Sequence, residues 1–278
     1  MEVLQMKGIK VPMPQGSEEK SYYKYYAQEI ADIPEEKLEF LKTPWGKPED
    51  GLNIHKRNKL FDKGYLTDEK GLFETEDGGI IVANNTFFEG STGAMLQWWF
   101  GWHGIDPLRY ACWDCYDHYG LDISYEDMAK IKDPATSIPE KCYDVTHVVT
   151  ESLVIGDDPT ILYIHFRNPK AMGYQVERIF TDECSFLVTA NVEIKTPVGL
   201  LPVVMTHIAR DVEGGCELRS RFWMGYNIIN GKAEYLMPGG VPFPKAPAEQ
   251  LLGHNFQEFT NLAKILPAIY EEEKDNWD

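Results

Sequence analysis

Six strand-like segments follow one another between residues 144 and 228, and this run constrains the fold more than any other feature of the sequence. Turn residues separate them, and connections this short favour antiparallel pairing because parallel strands need a long crossover. The sequence therefore predicts an antiparallel sheet. The segments are Asp144–Ile155, Thr160–Phe166, Tyr174–Phe180, Ser185–Ile194, Leu201–Ala209 and Glu217–Ile228.

One long amphipathic helix is predicted after the strands, from about Ala248 to Glu272. Pro267 is expected to kink or break it near its end. The inward positions, which recur every three or four residues, are Leu251, His254, Glu258, Leu262, Ile265 and Ile269. His254 and Glu258 stand one turn apart and about 40° around the axis, so both side chains can reach one point.

A buried histidine and a buried glutamate must be paired or bound to a metal, because an uncompensated buried charge is costly. Two interpretations of His254 and Glu258 follow from the residues alone. One is a structural hydrogen-bonded pair in the core, and the other is a metal site, for which imidazole and carboxylate together suit zinc.

Strands followed by one long helix are typical of an α+β fold. We expect the helix to lie across the concave face of a curved sheet and to leave a cavity between them. Residues 1–85 are polar and rich in turn residues, and we interpret them as an N-terminal layer packed on a main domain of residues 86–278.

The net charge of −17, from 27 Lys and Arg against 44 Asp and Glu, excludes nucleic acid and an anionic membrane surface as the main partner. The sequence has no apolar run of membrane-spanning length, and residues 1–7 lack the apolar core of a signal peptide. We therefore expect a soluble, cytoplasmic protein. Its five irregularly spaced cysteines are expected to be reduced thiols.

Further metal ligands have to come from outside the helix. Glu151 lies inside an apolar strand, where an unpaired carboxylate is expensive, and His147 shares its face. Cys112, Cys115 and His118 resemble half of a zinc knuckle, but no second ligand pair follows at short spacing.

The aromatic run Trp98-Trp-Phe-Gly-Trp-His103, the segments Leu108-Arg-Tyr110 and Asp117-His118, Glu151 and the closing His254-x-x-x-Glu258 resemble one family. It comprises the zinc-dependent 2,4-diacetylphloroglucinol hydrolases and phloretin hydrolases, and the resemblance covers about residues 86–278. It implies a helix-grip (Bet v 1-like) fold, a homodimer, and hydrolysis of the carbon–carbon bond between an acyl group and a phloroglucinol ring. By position, the zinc ligands would be His118, Glu151, His254 and Glu258.

Three side chains are candidates for handling the substrate, a phenolic ketone. Tyr110 is a candidate for a hydrogen bond to a ring hydroxyl. His207, which faces inward by strand alternation, is a candidate general acid or base or a second contact to a hydroxyl. Tyr226 is a further pocket candidate by the same alternation. Each of the three is also consistent with ordinary core packing.

The family carries an amide side chain just after the first ligand, whereas this sequence has Tyr119-Gly-Leu-Asp122. This departure favours a larger acyl arm, as in phloretin, over an acetyl group. The alternatives are a 2,4-diacetylphloroglucinol hydrolase, another metalloenzyme using the same pocket, and a non-catalytic binder of aromatic ligands.

Overall fold

An eight-stranded antiparallel sheet is the frame of the computed structural model, which describes residues 8–154, 157–197 and 199–278. Its strands are β1 (Gly71–Glu74), β2 (Ile80–Glu89), β3 (His118–Ile123), β4 (Thr146–Glu151), β5 (Thr160–Arg167), β6 (Phe186–Thr196), β7 (Gly199–Val212) and β8 (Gly215–Met224). Their order is β1-β2-β8-β7-β6-β5-β4-β3, so β2 pairs with β8 across most of the sequence. A separate hairpin pairs β9 (Tyr226–Ile229) with β10 (Lys232–Tyr235).

Seven α-helices lie in the described residues: α1 (Tyr23–Ala27), α2 (Glu35–Phe40), α3 (Gly93–Trp102), α4 (Pro107–Trp113), α5 (Tyr125–Lys132), α6 (Ile138–Lys141) and α7 (Lys245–Glu273). Side-chain caps fix the starts of the two helices beside the site. Thr92 accepts from the backbone of Met95 at the start of α3, and Asp106 accepts from Leu108 N at 2.7 Å before α4. No described helix is both long enough and apolar enough to cross a bilayer.

The main hydrophobic core lies between one face of the sheet and α7, with α3 and α4 packed beside them. Strand β8 shows why the sheet has two different faces. Leu218 and Phe222 point into the main core, whereas Trp223 belongs to a second cluster on the opposite face. This arrangement confirms the predicted α+β class and is consistent with the helix-grip fold.

The long C-terminal helix begins three residues before the predicted start and ends one residue after the predicted end. All six predicted inward positions are buried. Residues 253–259 are buried on every side of the helix, because the N-terminal segments cover what the sheet does not. For example, Asn261 Oδ1 accepts from the backbone of Ala31 at 3.0 Å, and Tyr25 donates to Glu272 at 2.9 Å.

Several strand boundaries differ from those predicted. Residues 174–180 form no strand, since a 3-10 helix spans Val176–Arg178 and Phe180 has a φ of 62°. The first predicted strand begins only at Thr146, because Asp144 also has a positive φ; its predicted end, Ile155, lies outside the described residues, as do residues 1–7. The division between residues 85 and 86 lies inside β2, so β1 and β2 belong to the main sheet rather than to an N-terminal layer.

Of the kink or break that the sequence predicts at Pro267, a break does not occur, since helix α7 continues through this residue. A proline inside a helix removes one backbone donor and costs about 3 kcal/mol relative to alanine. We therefore expect Pro267→Ala to raise the free energy of unfolding by about 1–3 kcal/mol in urea titrations. Pro247→Ala is the matched control, because the first-turn position of Pro247 needs no donor. A Pro267→Ala protein no more stable than the control would contradict this prediction.

Candidate metal centre and active site

A largely apolar cavity lies between α7 and the sheet, and four of its polar lining residues lie close together at what we call its polar end. Tyr110, Glu151, His254 and Glu258 line that polar end. The apolar walls are formed by Phe100, Trp113, Val149, Leu153, Leu162, Ile164, Phe166, Val192, Ile194, Val203, Met205, Phe222 and Leu251. Charged groups inside such a lining experience weak solvent screening, so their interactions with one another or with a cation are strong.

His118 and Glu151 reach the polar end from two neighbouring strands, and their Cα atoms are direct partners in the β3–β4 register. The Nδ1 atom of His118 donates to the carbonyl of Tyr110 at 3.0 Å, which fixes the tautomer and leaves Nε2 as a free acceptor. This Nε2 atom is buried and has no hydrogen-bond partner. A buried polar atom without a partner is unusual, and here it is the atom that would bind a metal.

The ring of His254 is also oriented through its Nδ1 atom. Its Nδ1 atom lies 3.4 Å from Oδ2 of Asp117, which also accepts from Gln257 Nε2 at 2.9 Å. Gln257 bonds Asp114 as well, at 2.7 Å. An imidazole whose Nδ1 faces a carboxylate presents Nε2 to a metal with raised basicity, an arrangement common around metal-binding histidines.

Glu258 completes a group of three converging ligands. Its Oε2 atom lies 3.8 Å from Nε2 of His118, and ligand atoms of His118, His254 and Glu258 all lie within 4.8 Å of one another. Glu151 lines the same end of the cavity, but its Oε2 atom accepts a hydrogen bond from the Tyr110 hydroxyl. Of the four predicted ligands, His118, His254 and Glu258 therefore have ligand atoms close to one another. The fourth, Glu151, lines the same end of the cavity, and one of its oxygens is hydrogen-bonded to Tyr110.

Two imidazole nitrogens and carboxylate oxygens form a donor set that suits a divalent transition metal such as zinc. The unpartnered Nε2 of His118 fits that role, because it is a buried acceptor that no donor among the described residues reaches. Asp114, Asp117 and His254 form a second close group. There Gln257 already bonds both aspartates, so this group serves to support His254. Among the described residues, Cys112 and Cys115 belong to no such group, and all five cysteines are free and buried.

The pKa values of Glu151, His254 and Glu258 are shifted by burial and by the charges of their neighbours. Burial, together with the neighbouring Glu151, raises the pKa of Glu258 to about 8 against the opposing effect of His254. Burial also raises the pKa of Glu151. Burial alone would lower the pKa of His254, but Asp117, Glu258 and Glu151 together raise it to about 10. Two buried carboxylates that resist ionisation beside one another favour a cation between them.

The candidate substrate residues have different positions. Tyr110 stacks on His118 with ring centroids 3.9 Å apart, and its buried hydroxyl belongs to the polar end. His207 also lines the cavity and shares a 2.8 Å hydrogen bond with Ser220. The structure does not place Tyr226 there: Gly225, with a φ of 93°, ends the alternation of β8, and the Tyr226 ring lies in the second cluster. The Tyr226 hydroxyl is engaged by Thr75 and Asp77.

Two cavity histidines, His103 and His147, were not among the predicted site residues. Burial lowers the pKa of His103 to about 4 and the pKa values of His147 and His207 to about 3. All three are therefore neutral at physiological pH. The strand alternation that places His147 on the face of Glu151 gave a sequence signal for it, whereas His103 carried none beyond its place in the aromatic run.

These three histidines are expected to lower the free energy of unfolding on acidification, because they take up protons only when the protein unfolds. Below the ordinary histidine pKa of about 6.5 their unfolded forms bind more protons, so their contribution to stability falls from there towards about pH 3–4. Each histidine contributes at most about 1.4 kcal/mol per pH unit. Urea unfolding at about pH 7.5 and about pH 5 should show a smaller pH dependence for His207→Gln than for the unmodified protein. His165→Gln, at a more exposed position, is the control, and an unchanged dependence in His207→Gln would contradict the assignment.

Comparison with known proteins bears on what this site does. A family model described as "DAPG hydrolase PhiG domain" matches residues 52–271. The phloretin hydrolase of Eubacterium ramulus is 37% identical over 278 residues, covering 97% of this chain and 96% of that protein. The chain belongs to the DAPG hydrolase family. Within it, two 2,4-diacetylphloroglucinol hydrolases are also similar. One, from a Pseudomonas species, is 27% identical over 91% of this chain and 88% of its own, and that of Pseudomonas protegens is 26% identical over 91% and 84%. Membership confirms the resemblance drawn from the motifs.

The groups that hold the ligands in place were not predicted from the sequence. Asp117 appears in the motif beside His118, and Asn255 and Gln257 lie within the helix motif, yet the pattern gives them no role. Helix periodicity places residue 257 away from the inward stripe, whereas residue 255 lies on it, four residues after Leu251 and three before Glu258. The signal available was composition, since four polar residues within residues 254–258, interrupted by Phe256, are unusual for a buried helix.

Proposed function

We propose that this protein is a zinc-dependent hydrolase that cleaves the carbon–carbon bond between an acyl group and a phloroglucinol ring. The observation that carries the proposal is the convergence of His118, His254 and Glu258 at the polar end of an apolar cavity. Glu151 and Tyr110 complete that end. Membership in a family with phloretin and diacetylphloroglucinol hydrolases supports the reaction class.

The reaction adds water across one bond. The acyl carbon gains the hydroxyl and becomes a carboxylic acid, while the ring carbon keeps the electron pair of the broken bond and takes a proton. A polyhydroxylated ring assists because its ketone tautomer makes that carbon a better leaving group. The protein must therefore bind the ring oxygens, position the carbonyl and supply a proton.

Tyr110 is suited to bind a ring oxygen. Burial and the carboxylate of Glu151 raise the pKa of its phenol well above the usual range, so it remains a hydrogen-bond donor at neutral pH. In the free protein this donor faces Glu151, from which a small rotation would direct it to a substrate oxygen.

His207 is suited to exchange a proton with the substrate or to bind a second hydroxyl. Its Nδ1 atom is engaged by Ser220, which leaves Nε2 for the cavity that the ring lines. When bound, zinc supplies a Lewis acid that polarises an oxygen atom at the polar end.

The acyl arm that we propose is an arylpropanoyl group, as in phloretin. An apolar wall that includes Val149, Leu162 and Ile164 extends from the polar end and suits such an arm. The relative with 37% identity is a phloretin hydrolase, and it covers nearly the whole chain. An acetyl group would leave most of this wall without contact.

Incubation with phloretin and, separately, with 2,4-diacetylphloroglucinol tests the proposal. We expect phloretin to yield phloroglucinol and an arylpropionic acid, at a higher kcat/KM than the release of acetate from the diacetyl compound. Removal of metal with a chelator should stop the reaction, and added zinc should restore it. Tight binding of both compounds without product, in a protein that holds no metal, would instead identify a non-catalytic aromatic-ligand binder.

A further inference from the structure

Asn255 is a fully buried amide in helix α7, between the two helical ligands His254 and Glu258. Its Nδ2 atom donates to Oε1 of Glu258 at 2.9 Å, and its Oδ1 atom accepts from Nδ2 of Asn84 at 2.7 Å. Asn84, on β2, is also almost fully buried. Because Asn84 offers Asn255 a donor, the Asn255 amide is held in the orientation that points its own NH₂ group at Glu258.

Because of this bond, the two carboxylate oxygens of Glu258 have different environments. Oε1 is occupied by Asn255, while Oε2 faces the site, 3.8 Å from the unpartnered Nε2 of His118. The two oxygens of Glu151 also differ, since its Oε2 atom accepts a hydrogen bond from Tyr110. Each carboxylate is therefore left with one unoccupied oxygen.

The number of free oxygens matters for a site with four protein ligands. A carboxylate can bind a metal through one oxygen or through two, and two chelating carboxylates with two imidazoles would fill six positions. Catalytic zinc instead needs a position for substrate, and it accepts a fifth ligand when four are present.

We propose that Asn255, oriented by Asn84, is a positioning residue that restricts Glu258 to one metal-binding oxygen and so keeps a coordination position open for the substrate. The inference rests on the proposed function for its metal, but it concerns the geometry of the ligand rather than the reaction. Supporting groups of this kind typically change metal affinity or activity by about 10- to 100-fold when removed.

Cobalt(II) in place of zinc provides the test, because its visible absorption weakens as the coordination number rises. Phloroglucinol is the probe for an open position, and we expect it to change the spectrum of the unmodified cobalt protein. Asn255→Leu, similar in size but without the amide, should show weaker absorption before phloroglucinol is added and little further change afterwards. Its kcat should fall about 10- to 100-fold.

Two further variants separate this role from simple loss of a buried amide. Asn84→Leu should shift the cobalt spectrum in the same direction, and the double variant should be no worse than Asn255→Leu, because both act through one contact. Asn84→Leu also provides the measurement if Asn255→Leu does not fold. Asn191→Leu is the matched control, since the Asn191 side chain bonds the backbone of Ile228 and does not line the cavity, and its spectrum should be unchanged.

The inference is overturned if Asn255→Leu and Asn84→Leu keep the spectrum and the phloroglucinol response of the unmodified protein. It is also overturned if the unmodified protein takes up no cobalt. If the unmodified protein cleaves no acylphloroglucinol but Asn255→Leu still changes the cobalt spectrum, the proposed function fails while the role of Asn255 stands.

Discussion

Replacing His254 or Glu258 with alanine is expected to remove most of the bound metal and to lower kcat/KM for phloretin by at least about 10³-fold, equivalent to about 4 kcal/mol. Each residue supplies one of three ligand atoms that lie within 4.8 Å of one another. Loss of either leaves two of these three atoms and, with Glu151, at most three protein ligands, so the cation is bound more weakly. Metal content by elemental analysis and steady-state kinetics measure the two effects.

Matched substitutions outside the site control for the loss of a histidine or a glutamate. His165→Ala changes a half-buried histidine that faces Glu193, and Glu271→Ala changes an exposed glutamate on the same helix α7. Both controls should keep metal and activity, and far-ultraviolet circular dichroism should show that the sheet persists in all four proteins. Full activity in His254→Ala or Glu258→Ala would remove these residues from the metal site.

Tyr110→Phe is expected to retain the metal but to lower kcat by about 10²-fold, the lower end of the usual effect of removing one hydrogen-bond donor that stabilises developing charge. The phenyl ring of the variant would still stack on His118, so the protein should fold, and only the hydroxyl that bonds Glu151 is lost. If the hydroxyl acts mainly in the transition state, kcat should fall more than KM rises.

Tyr25→Phe is the control for Tyr110→Phe, because Tyr25 also donates to a glutamate, Glu272, but does so near the C-terminal end of α7, about five turns beyond His254. It should leave kcat unchanged. An unaltered kcat in Tyr110→Phe would exclude Tyr110 from the reaction, and loss of metal would show that its hydroxyl instead serves to hold Glu151.

Helix α7 could be predicted in detail because its determinants are local. The spacing of Leu251, His254, Glu258 and Leu262 depends only on the helical repeat, and a helix follows that repeat wherever it packs. Glu151 was recognisable for a related reason, since a charge inside an apolar strand needs a partner. The position of His118 followed only from the family resemblance, because strand pairing between β3 and β4 is not encoded by a spacing.

The errors arose where one residue changes the direction of the backbone. Gly225 ends β8 and places Tyr226 on the other face, so a count of alternate positions carried across it fails. Likewise, β1 and β2 lie in a polar region of the sequence, and their place in the sheet depends on pairing with β8, more than a hundred residues later. The contacts of Asn255 and Asp117 are also non-local, since each meets a partner far along the chain.

The order of the strands has a consequence for how the protein is made. Synthesis proceeds from the N-terminus, so β3 and β4 leave the ribosome about a hundred residues before α7, which supplies half of the proposed metal ligands and covers the cavity. Until then the tryptophan-rich helix α3 and the inner sheet face have no cover, and such exposed apolar surface favours aggregation. Metal is therefore expected to enter only after α7 has been synthesised, and overexpression should benefit from low temperature and chaperones.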